Sequence, residues 1–280
     1  LKYNTSGTLQ TTIDLPTVYN AKSMVCPSSG EEGVINDANT DLLIHANGED
    51  GSTTFEDSSS SGHIITANGD AEIDISERKY GSGSAIFSGS GYLSVAYDTV
   101  WNLGSIFTLD TWVRFNTYSG NQTLMSRFTS GTSYFYWAFE SGEVRFRDYN
   151  SGNVINLTFG FPGLSLNTWY HLALVRNGSD FKFYVDGTQS GSTGSSGATL
   201  TSRTDALEIG GSSGLTGYGM DGWQDDIRVS NGYARWTSDF TPPISLSNDI
   251  WISTYTSPAS IVRVHEVSND VYDYDVTQIV

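Results

Sequence analysis

The sequence has little cysteine and few basic residues. Cys26 is the single cysteine among 280 residues, so the chain cannot close a disulfide within itself. Only 14 residues are Lys or Arg against 31 Asp or Glu, which gives a formal net charge of -17 at pH 7. A surface of this sign repels the phosphates of nucleic acids and of anionic membranes. We therefore expect no nucleic-acid partner.

Several patterns that carry chemistry are also missing. No apolar run approaches the length of a membrane span, so we expect no membrane insertion. The sequence has no Gly-x-Ser-x-Gly elbow, no phosphate loop and no Cys/His cluster at zinc spacing. The four histidines are scattered, and His171 is predicted to be a core residue of a strand.

The residues that are abundant predict an all-β protein. The chain has 30 glycines, 13% aromatic residues and 16% charged residues, and long helical patterns are absent. Short apolar runs alternate with turn signals, as in sandwiches and jelly rolls. The clearest pair is Trp169–Val175 and Phe181–Val185, separated by the turn signal Asn177–Asp180. The first run is apolar on both sides and is predicted to be covered on both faces.

The second run of this hairpin alternates differently. Phe181, Phe183 and Val185 are predicted to face the core, and Lys182 and Tyr184 to face solvent.

Composition shifts and turn signals divide the chain into an N-terminal arm at 1–38, a main domain at 39–243 and a C-terminal arm at 244–280. We expect the C-terminal arm to pack on the domain or on a partner.

The main domain resembles a known family. Five segments in the same order are similar to strands of laminin-G-like domains, which have the concanavalin-A-like jelly-roll fold. The segments are DLLIHANGEDGSTTFEDSSSSGH, YGSGSAIFSGSGYLSVA, FTLDTWVRF, WYHLALVRNGSDFKFYVDG and LEIGGSSGLTGYGMDGWQDDIRVSNGYARWTSDFTPP. Together they span Asp41 to Pro243.

The resemblance implies an antiparallel, two-sheet jelly-roll sandwich of the kind found in phage and bacterial surface or fibre proteins. It implies a non-enzymatic structural protein that is extracellular, on a virion or a cell surface, and presents a face to a glycan or surface receptor. The arms are expected to contact copies of the chain or neighbouring structural subunits. The alternative is a purely structural decoration or spacer module, since this fold carries many functions.

A second alternative is enzymatic. Glu72, Asp74 and Glu77 form an E-x-D-x-x-E string that resembles the catalytic strand of family 16 glycoside hydrolases, where the first Glu is the nucleophile and the last is the acid/base. Retaining hydrolysis needs two carboxylates about 5 Å apart across the sugar bond. The string comes early in the chain and no tryptophan precedes it, which favours a solvated strand edge.

Acidic residues could also hold a structural Ca²⁺ ion. Jelly rolls of this type often carry a cation between their first and last strands, and Ca²⁺ prefers several oxygen ligands. Asp50 and Asp57 lie in the opening loop, and Asp225 and Asp226 lie in the closing segment. The alternative is that Asp50 and Asp57 only shape turns, while Asp225 pairs with Arg228.

The third candidate is a saccharide-binding surface, because sugar rings stack on aromatic faces flanked by planar polar groups. Two groups of residues fit. The first is Tyr134, Tyr136, Arg145, Arg147 and Tyr149, and the second is Tyr218 and Trp223. The alternative is that Phe135, Trp137 and Phe139 form core, with Tyr134 and Tyr136 merely covering the opposite face.

Overall fold

The computed structural model describes residues 37–160 and 163–243, together with the backbone of short strands nearer both ends of the chain. Contacts between residues divide the chain into two compact units, one of residues 34–242 and one of residues 1–33 and 243–280. Cys26 and most of the predicted N-terminal arm lie outside the described residues.

Strands account for nearly all of the regular structure, and their bounds follow in chain order. The first eleven are β1 (Lys2–Tyr3), β2 (Leu9–Thr11), β3 (Leu42–Ile44), β4 (Ile65–Asn68), β5 (Glu72–Asp74), β6 (Ser84–Ser88), β7 (Tyr92–Val95), β8 (Ile106–Phe115), β9 (Gln122–Ser130), β10 (Ser133–Glu140) and β11 (Glu143–Asn150). The others are β12 (Asn153–Thr158), β13 (Trp169–Asn177), β14 (Asp180–Val185), β15 (Thr188–Gln189), β16 (Gly194–Ser195), β17 (Leu207–Ile209), β18 (Asp221–Asn231), β19 (Ile250–Thr254), β20 (Ser260–Ser268) and β21 (Val271–Gln278). One turn of 3₁₀ helix spans Thr99–Trp101.

Two antiparallel sheets make up the larger unit. The seven-stranded sheet has the order β12-β11-β10-β9-β17-β7-β4. The nine-stranded sheet has the order β15-β14-β13-β8-β18-β6-β5, with β16 pairing β14 and β3 pairing β18. The predicted all-β antiparallel sandwich is therefore confirmed. Within the described ranges, no helix is long and apolar enough to cross a bilayer.

The predicted hairpin is β13–β14. Asn177 pairs with Asp180, and Gly178 between them has a φ of 68°, a value that glycine adopts without steric cost. Both faces of β13 are covered, as the sequence predicts. Leu172 and Leu174 join the main core, whereas Ala173 and Val175 face a separate apolar cluster on the other side of the sheet.

Aromatic rings from the two sheets interlock in the main core. Phe146 of β11 lies 5.9 Å from Phe107 of β8 and 5.6 Å from Phe181 of β14, between ring centroids. Phe139 of β10 lies 4.8 Å from Phe115 of β8. Burying each of these side chains contributes about 1.5–3 kcal/mol, so the strand alternation that points them inward largely decides the sandwich.

The prediction that Tyr184 of β14 faces solvent is wrong. Tyr184 is fully buried, because the chain after β18 folds back over the outside of the nine-stranded sheet. Trp236 and Phe240 stack at 3.9 Å, Phe240 lies 5.3 Å from Tyr184, and Lys182 donates to the carbonyl of Thr237 at 2.6 Å. The returning segment thus covers residues that alternation alone assigns to water.

A buried ion cluster lies beneath this returning segment. Arg228 donates to both oxygens of Asp110, at 3.0 and 2.9 Å, and a ring nitrogen of His171 lies 3.2 Å from the same carboxylate. Burial alone would raise the pKa of Asp110, but the charge of Arg228 and the bond from His171 lower it to about 2. His171 is buried in the sheet, as predicted.

Three buried arginines hold the irregular segment 196–206 between β16 and β17. Arg127 donates to the carbonyls of Trp101, Arg203 and Asp205. Arg176 donates to the carbonyls of Ser196 and Ala198. Burial lowers the pKa of Arg127 to about 10, so this group stays charged at neutral pH. The guanidinium groups provide the donors that a connection without strand partners would otherwise lack.

Arg203 belongs to the segment itself and forms the third link. Its Nη2 donates to Asp148 at 2.5 Å and to the carbonyls of Tyr134 and Tyr149 at 2.9 and 3.0 Å. Asp148 in turn accepts from the amide of Thr201 at 2.7 Å. The segment is therefore tied to the ends of β10 and β11.

The smaller unit consists of short antiparallel pairings. β1 pairs with β2, and β19, β20 and β21 form a three-stranded sheet. The prediction that the C-terminal arm packs on the domain or on a partner stays a prediction.

Arg127→Met is expected to lower the free energy of unfolding by about 3 kcal/mol, because it leaves several buried carbonyls without donors. Urea unfolding followed by tryptophan fluorescence measures the change. Arg78→Met, at an exposed position, is the control and should stay within about 0.5 kcal/mol of the parent. A loss below about 1 kcal/mol for Arg127→Met would contradict the assigned role.

The buried carboxylate predicts a pH dependence of stability. Because the folded pKa of Asp110 lies below its ordinary value of 3.8, its stabilisation is complete above about pH 4 and is lost as the pH falls through about 2. Asp110→Asn should be about 3 kcal/mol less stable at pH 7, since Arg228 then lies buried without a counter-charge. The difference from the parent should shrink towards pH 2 in urea titrations. Asp180→Asn, at an exposed turn, serves as the control, and a difference that is constant from pH 7 to pH 2 would refute this account.

Candidate functional site

One face of the seven-stranded sheet carries a continuous row of polar side chains. Phe135 and Trp137 of β10 enter the core, so the residues that alternate with them point to the opposite face. In register across the sheet, the row through Tyr136 consists of Asn156, Arg147, Tyr136, Ser126, Glu208, Ser94 and Thr66. Tyr136, Ser126 and Glu208 in the middle of this row are buried, so the row reaches solvent only towards its two ends.

Four tyrosines form an aromatic group on this face, which we call the tyrosine patch: Tyr134, Tyr136, Tyr149 and Tyr218. Tyr134 stacks on Tyr149 at 5.1 Å with the rings 16° apart, and on Tyr136 at 6.0 Å and 12°. Tyr218 arrives from the loop between β17 and β18 and lies 5.2 Å from Tyr136. Tyr136 is fully buried, whereas the other three remain partly exposed. Tyr136 thus supports the patch from below.

Glu140 fixes the rings at one end of the patch. It accepts hydrogen bonds from the hydroxyls of Tyr136 at 2.7 Å and Tyr218 at 2.5 Å, and an ion pair from Arg145 Nε at 2.9 Å. Burial, and then the bond to Glu140, raise the pKa of Tyr218 and of Tyr136. Both phenols therefore keep their protons and donate to the carboxylate.

Arg147 lies against the other end of the patch. Its guanidinium carbon is 4.9 Å from the ring centre of Tyr149 and 5.8 Å from that of Tyr134, within cation–π distance. Its Nε donates to Asn153 Oδ1 at 2.9 Å. Burial alone would lower the pKa of Arg147, but the Tyr136 hydroxyl and nearby negative charge raise it. The side chain is therefore a permanent cation held in place by its neighbours.

Sequence reasoning missed three residues of this site. Glu140 and Asn153 sit at strand ends beside turns, and no periodic signal separates them from ordinary turn residues. Arg203 holds the backbone carbonyls of Tyr134 and Tyr149, but it lies in a Ser/Thr-rich segment without strand pattern. Only the fold shows that these side chains converge on the patch.

The second predicted aromatic pair is divided between the sheets. Tyr218 belongs to the tyrosine patch, whereas Trp223 lies in β18 of the nine-stranded sheet. The indole of Trp223 donates to Asp74 Oδ2 at 2.7 Å, and the guanidinium of Arg114 lies 4.6 Å from its ring. Trp223 is almost fully buried, so it offers little surface for stacking.

The E-x-D-x-x-E string lies on and beside β5, an edge strand of the nine-stranded sheet. Asp74 accepts from Trp223 and from the amide and hydroxyl of Ser76, both at 2.7 Å. Burial alone would raise the pKa of Asp74, but these bonds lower it. Glu77 pairs with Arg114 at 3.3 Å, and Glu72 is exposed.

The four carboxylates considered for Ca²⁺ have separate partners. Asp57 accepts from the amides of Leu43, Ser59 and His63. Asp225 accepts from the amides of Lys79 and Tyr80 at 2.9 Å, and the pair Asp225–Asp226 is buried.

Asp50 accepts from the amide of Ile75 at 3.3 Å, and Asp226 lies 2.5 Å from His45 Nδ1. Among the described residues, no group of three or more His, Cys, Asp or Glu side chains could hold a metal ion. These carboxylates therefore do not form a common coordination shell, and calcium binding stays an untested prediction.

Known structures share the fold at low sequence identity. Domain 4 of AbnA, a GH43 extracellular arabinanase from Geobacillus stearothermophilus solved with arabinotriose, matches with a TM-score of 0.53 and 14% identity over 66% of this chain and 95% of that one. A structure of botulinum neurotoxin type C, whose cell entry depends on two ganglioside molecules, matches with a TM-score of 0.51 and 13% identity over 69% of this chain and 48% of that one. The binding domain of botulinum neurotoxin DC, in complex with SialylT, matches with a TM-score of 0.51 and 11% identity over 69% of this chain and 48% of that one. This chain thus spans about half the length of the neurotoxin chains.

A search of the curated proteins found no match. The laminin G-like family model of the concanavalin A-like lectin/glucanases superfamily matches residues 87–236, which is more than half of the 280 residues. The match lies within the segment that resembles laminin-G-like domains, and it confirms the jelly-roll fold predicted from that resemblance. The chain therefore belongs to the concanavalin A-like lectin/glucanases superfamily.

Proposed function

We propose that this protein is a non-enzymatic carbohydrate-binding protein whose tyrosine patch stacks on sugar rings. The observation that carries the proposal is the parallel stacking of Tyr134 and Tyr149 on an outer sheet face, beside the planar groups of Arg147 and Asn153. Sugars present flat C–H faces that pack on aromatic rings, and hydroxyls that need planar hydrogen-bonding partners. The patch provides both within one surface.

The rigidity of the patch supports binding. Glu140 holds Tyr218 through its hydroxyl, and Arg203 holds the backbone of Tyr134 and Tyr149. A surface whose rings are already fixed loses less conformational entropy when a ligand binds. Among proteins of the same fold, the arabinanase domain was solved with arabinotriose, and the cell entry of botulinum neurotoxin type C depends on two ganglioside molecules.

The arrangement of Glu72, Asp74 and Glu77 supports a role without catalysis. The strand that carries them lies at the edge of its sheet, and Asp74 and Glu77 are each engaged with side chains of the protein. We propose further that the protein acts outside the cell, on a virion or cell surface, and that its terminal arms contact copies of the chain or neighbouring subunits.

Tyr149→Ala is expected to weaken binding of the best glycan on an immobilised array by about tenfold, because it removes an aromatic anchor. Calorimetry with that glycan measures the affinity. Tyr149→Phe keeps the ring and should bind like the parent. Tyr233→Ala, an exposed tyrosine outside the patch, is the matched control. A parent chain that binds no glycan would refute the proposal.

Incubation with polysaccharides should release no new reducing ends, and Glu72→Gln with Glu77→Gln should leave the saccharide affinity unchanged. A reducing-sugar assay against a panel of β-glucans and galactans tests this. Turnover that disappears in the double variant would instead establish a retaining hydrolase.

A further inference from the structure

The arginines around the tyrosine patch differ in whether they form ion pairs. Arg145 pairs with Glu140 at 2.9 Å and lies 3.8 Å from Glu143. Arg203 pairs with the buried Asp148. Among the residues that the structure describes, no ion pair is recorded for Arg147, although it is the guanidinium stacked against the aromatic rings. The charge of Glu140 acts on Arg147 from a distance and raises its pKa, but no described carboxylate forms an ion pair with this guanidinium.

Asn153, which accepts a hydrogen bond from Arg147, places further hydrogen-bond donors beside this guanidinium. A guanidinium has donors only, so the amide of Asn153 must turn its oxygen towards Arg147 Nε. Its two N–H donors then face elsewhere. Asn156 stands opposite Arg147 on β12 and is exposed. This corner thus combines a fixed positive charge with amide donors.

Local charge differs from that of the whole chain. The net charge of the protein is -17, yet around the patch Glu140 and Glu143 are offset by Arg145 and Arg147. Glu140 is already occupied by two phenols and one guanidinium. An anionic ligand therefore meets a locally neutral surface on which Arg147 forms no direct ion pair with the described carboxylates. Guanidinium groups bind carboxylates through two parallel hydrogen bonds.

From this arrangement we infer that the tyrosine patch selects acidic saccharides, with a sugar carboxylate bound by Arg147 and Asn153 while the ring packs on Tyr149 and Tyr134. The inference rests on the proposed function and narrows its ligand class. A neutral saccharide offers Arg147 only hydroxyl oxygens, and a hydrogen bond from a guanidinium to a hydroxyl is weaker than one to a carboxylate. The Arg147 cation therefore provides the selectivity for acidic saccharides, and the tyrosine rings provide the stacking surface for the sugar ring.

Matched saccharide pairs test the inference, each differing only in whether its carboxylates are charged: trigalacturonate against its trimethyl ester, and sialyllactose against the methyl ester of its sialic acid. The parent chain should bind the acidic member of at least one pair about tenfold more tightly, as expected for a charged hydrogen bond. Arg147→Met should abolish this preference, so its loss of affinity for the acidic member should exceed its loss for the neutral member by about tenfold. Arg78→Met removes the same charge from an exposed position outside the patch and should change neither affinity.

A second variant leaves Arg147 in place. Asn153→Asp gives the guanidinium a carboxylate from the protein, and it should likewise remove the preference for acidic members by about tenfold. Thermal unfolding of each variant confirms that the fold is retained. Two results would overturn the inference but not the proposed function. One is a parent chain that binds neutral members as tightly as acidic ones, and the other is an Arg147→Met variant that loses affinity equally for both members. A parent chain that binds no member of any pair would overturn the inference, and only one that also binds no glycan on the array would overturn the proposed function.

Discussion

The structure depends on buried guanidinium groups at the place where the two sheets leave a long connection without strand partners. Residues 196–206 lead from β16, beside the nine-stranded sheet, to β17 in the middle of the seven-stranded sheet. Backbone carbonyls along such a path need donors when they are buried. Arg127, Arg176 and Arg203 provide those donors. Arginine suits this role because it offers several donors in one plane and keeps its charge when buried.

One of these buried guanidinium groups also holds the candidate site in place. Arg203 holds the carbonyls of Tyr134 and Tyr149, so the strands that display the stacked rings are fixed from beneath. The chain has 14 basic residues, and several are used in this way inside the fold. Arg147 differs because it lies on the outer face, against the rings. In so acidic a protein, one cation without a recorded ion pair has a large effect on which ligands its surroundings admit.

Much of the fold could be predicted, and less of the site. Alternation in the second strand of the hairpin identified Phe181 and Phe183 as core residues, because a strand has only two faces. The tyrosines and arginines of β10 and β11 were identified for the same reason, since neighbouring strands with aromatic and planar polar residues share a face. Alternation could not show that Tyr136 is buried, because Tyr134 and Tyr218 cover it from different parts of the chain.

The sequence by itself determined the strands, the turn of the hairpin and the acidic character of the chain, since these follow from local patterns and composition. Only the tertiary structure decided what covers each outer face. It brought Phe240 over Tyr184, separated Trp223 from Tyr218, and set Arg203 beneath the tyrosine patch. Those contacts join residues that are far apart in the chain, and the free energy that selects them comes from packing and hydrogen bonds that exist only once both sheets have formed.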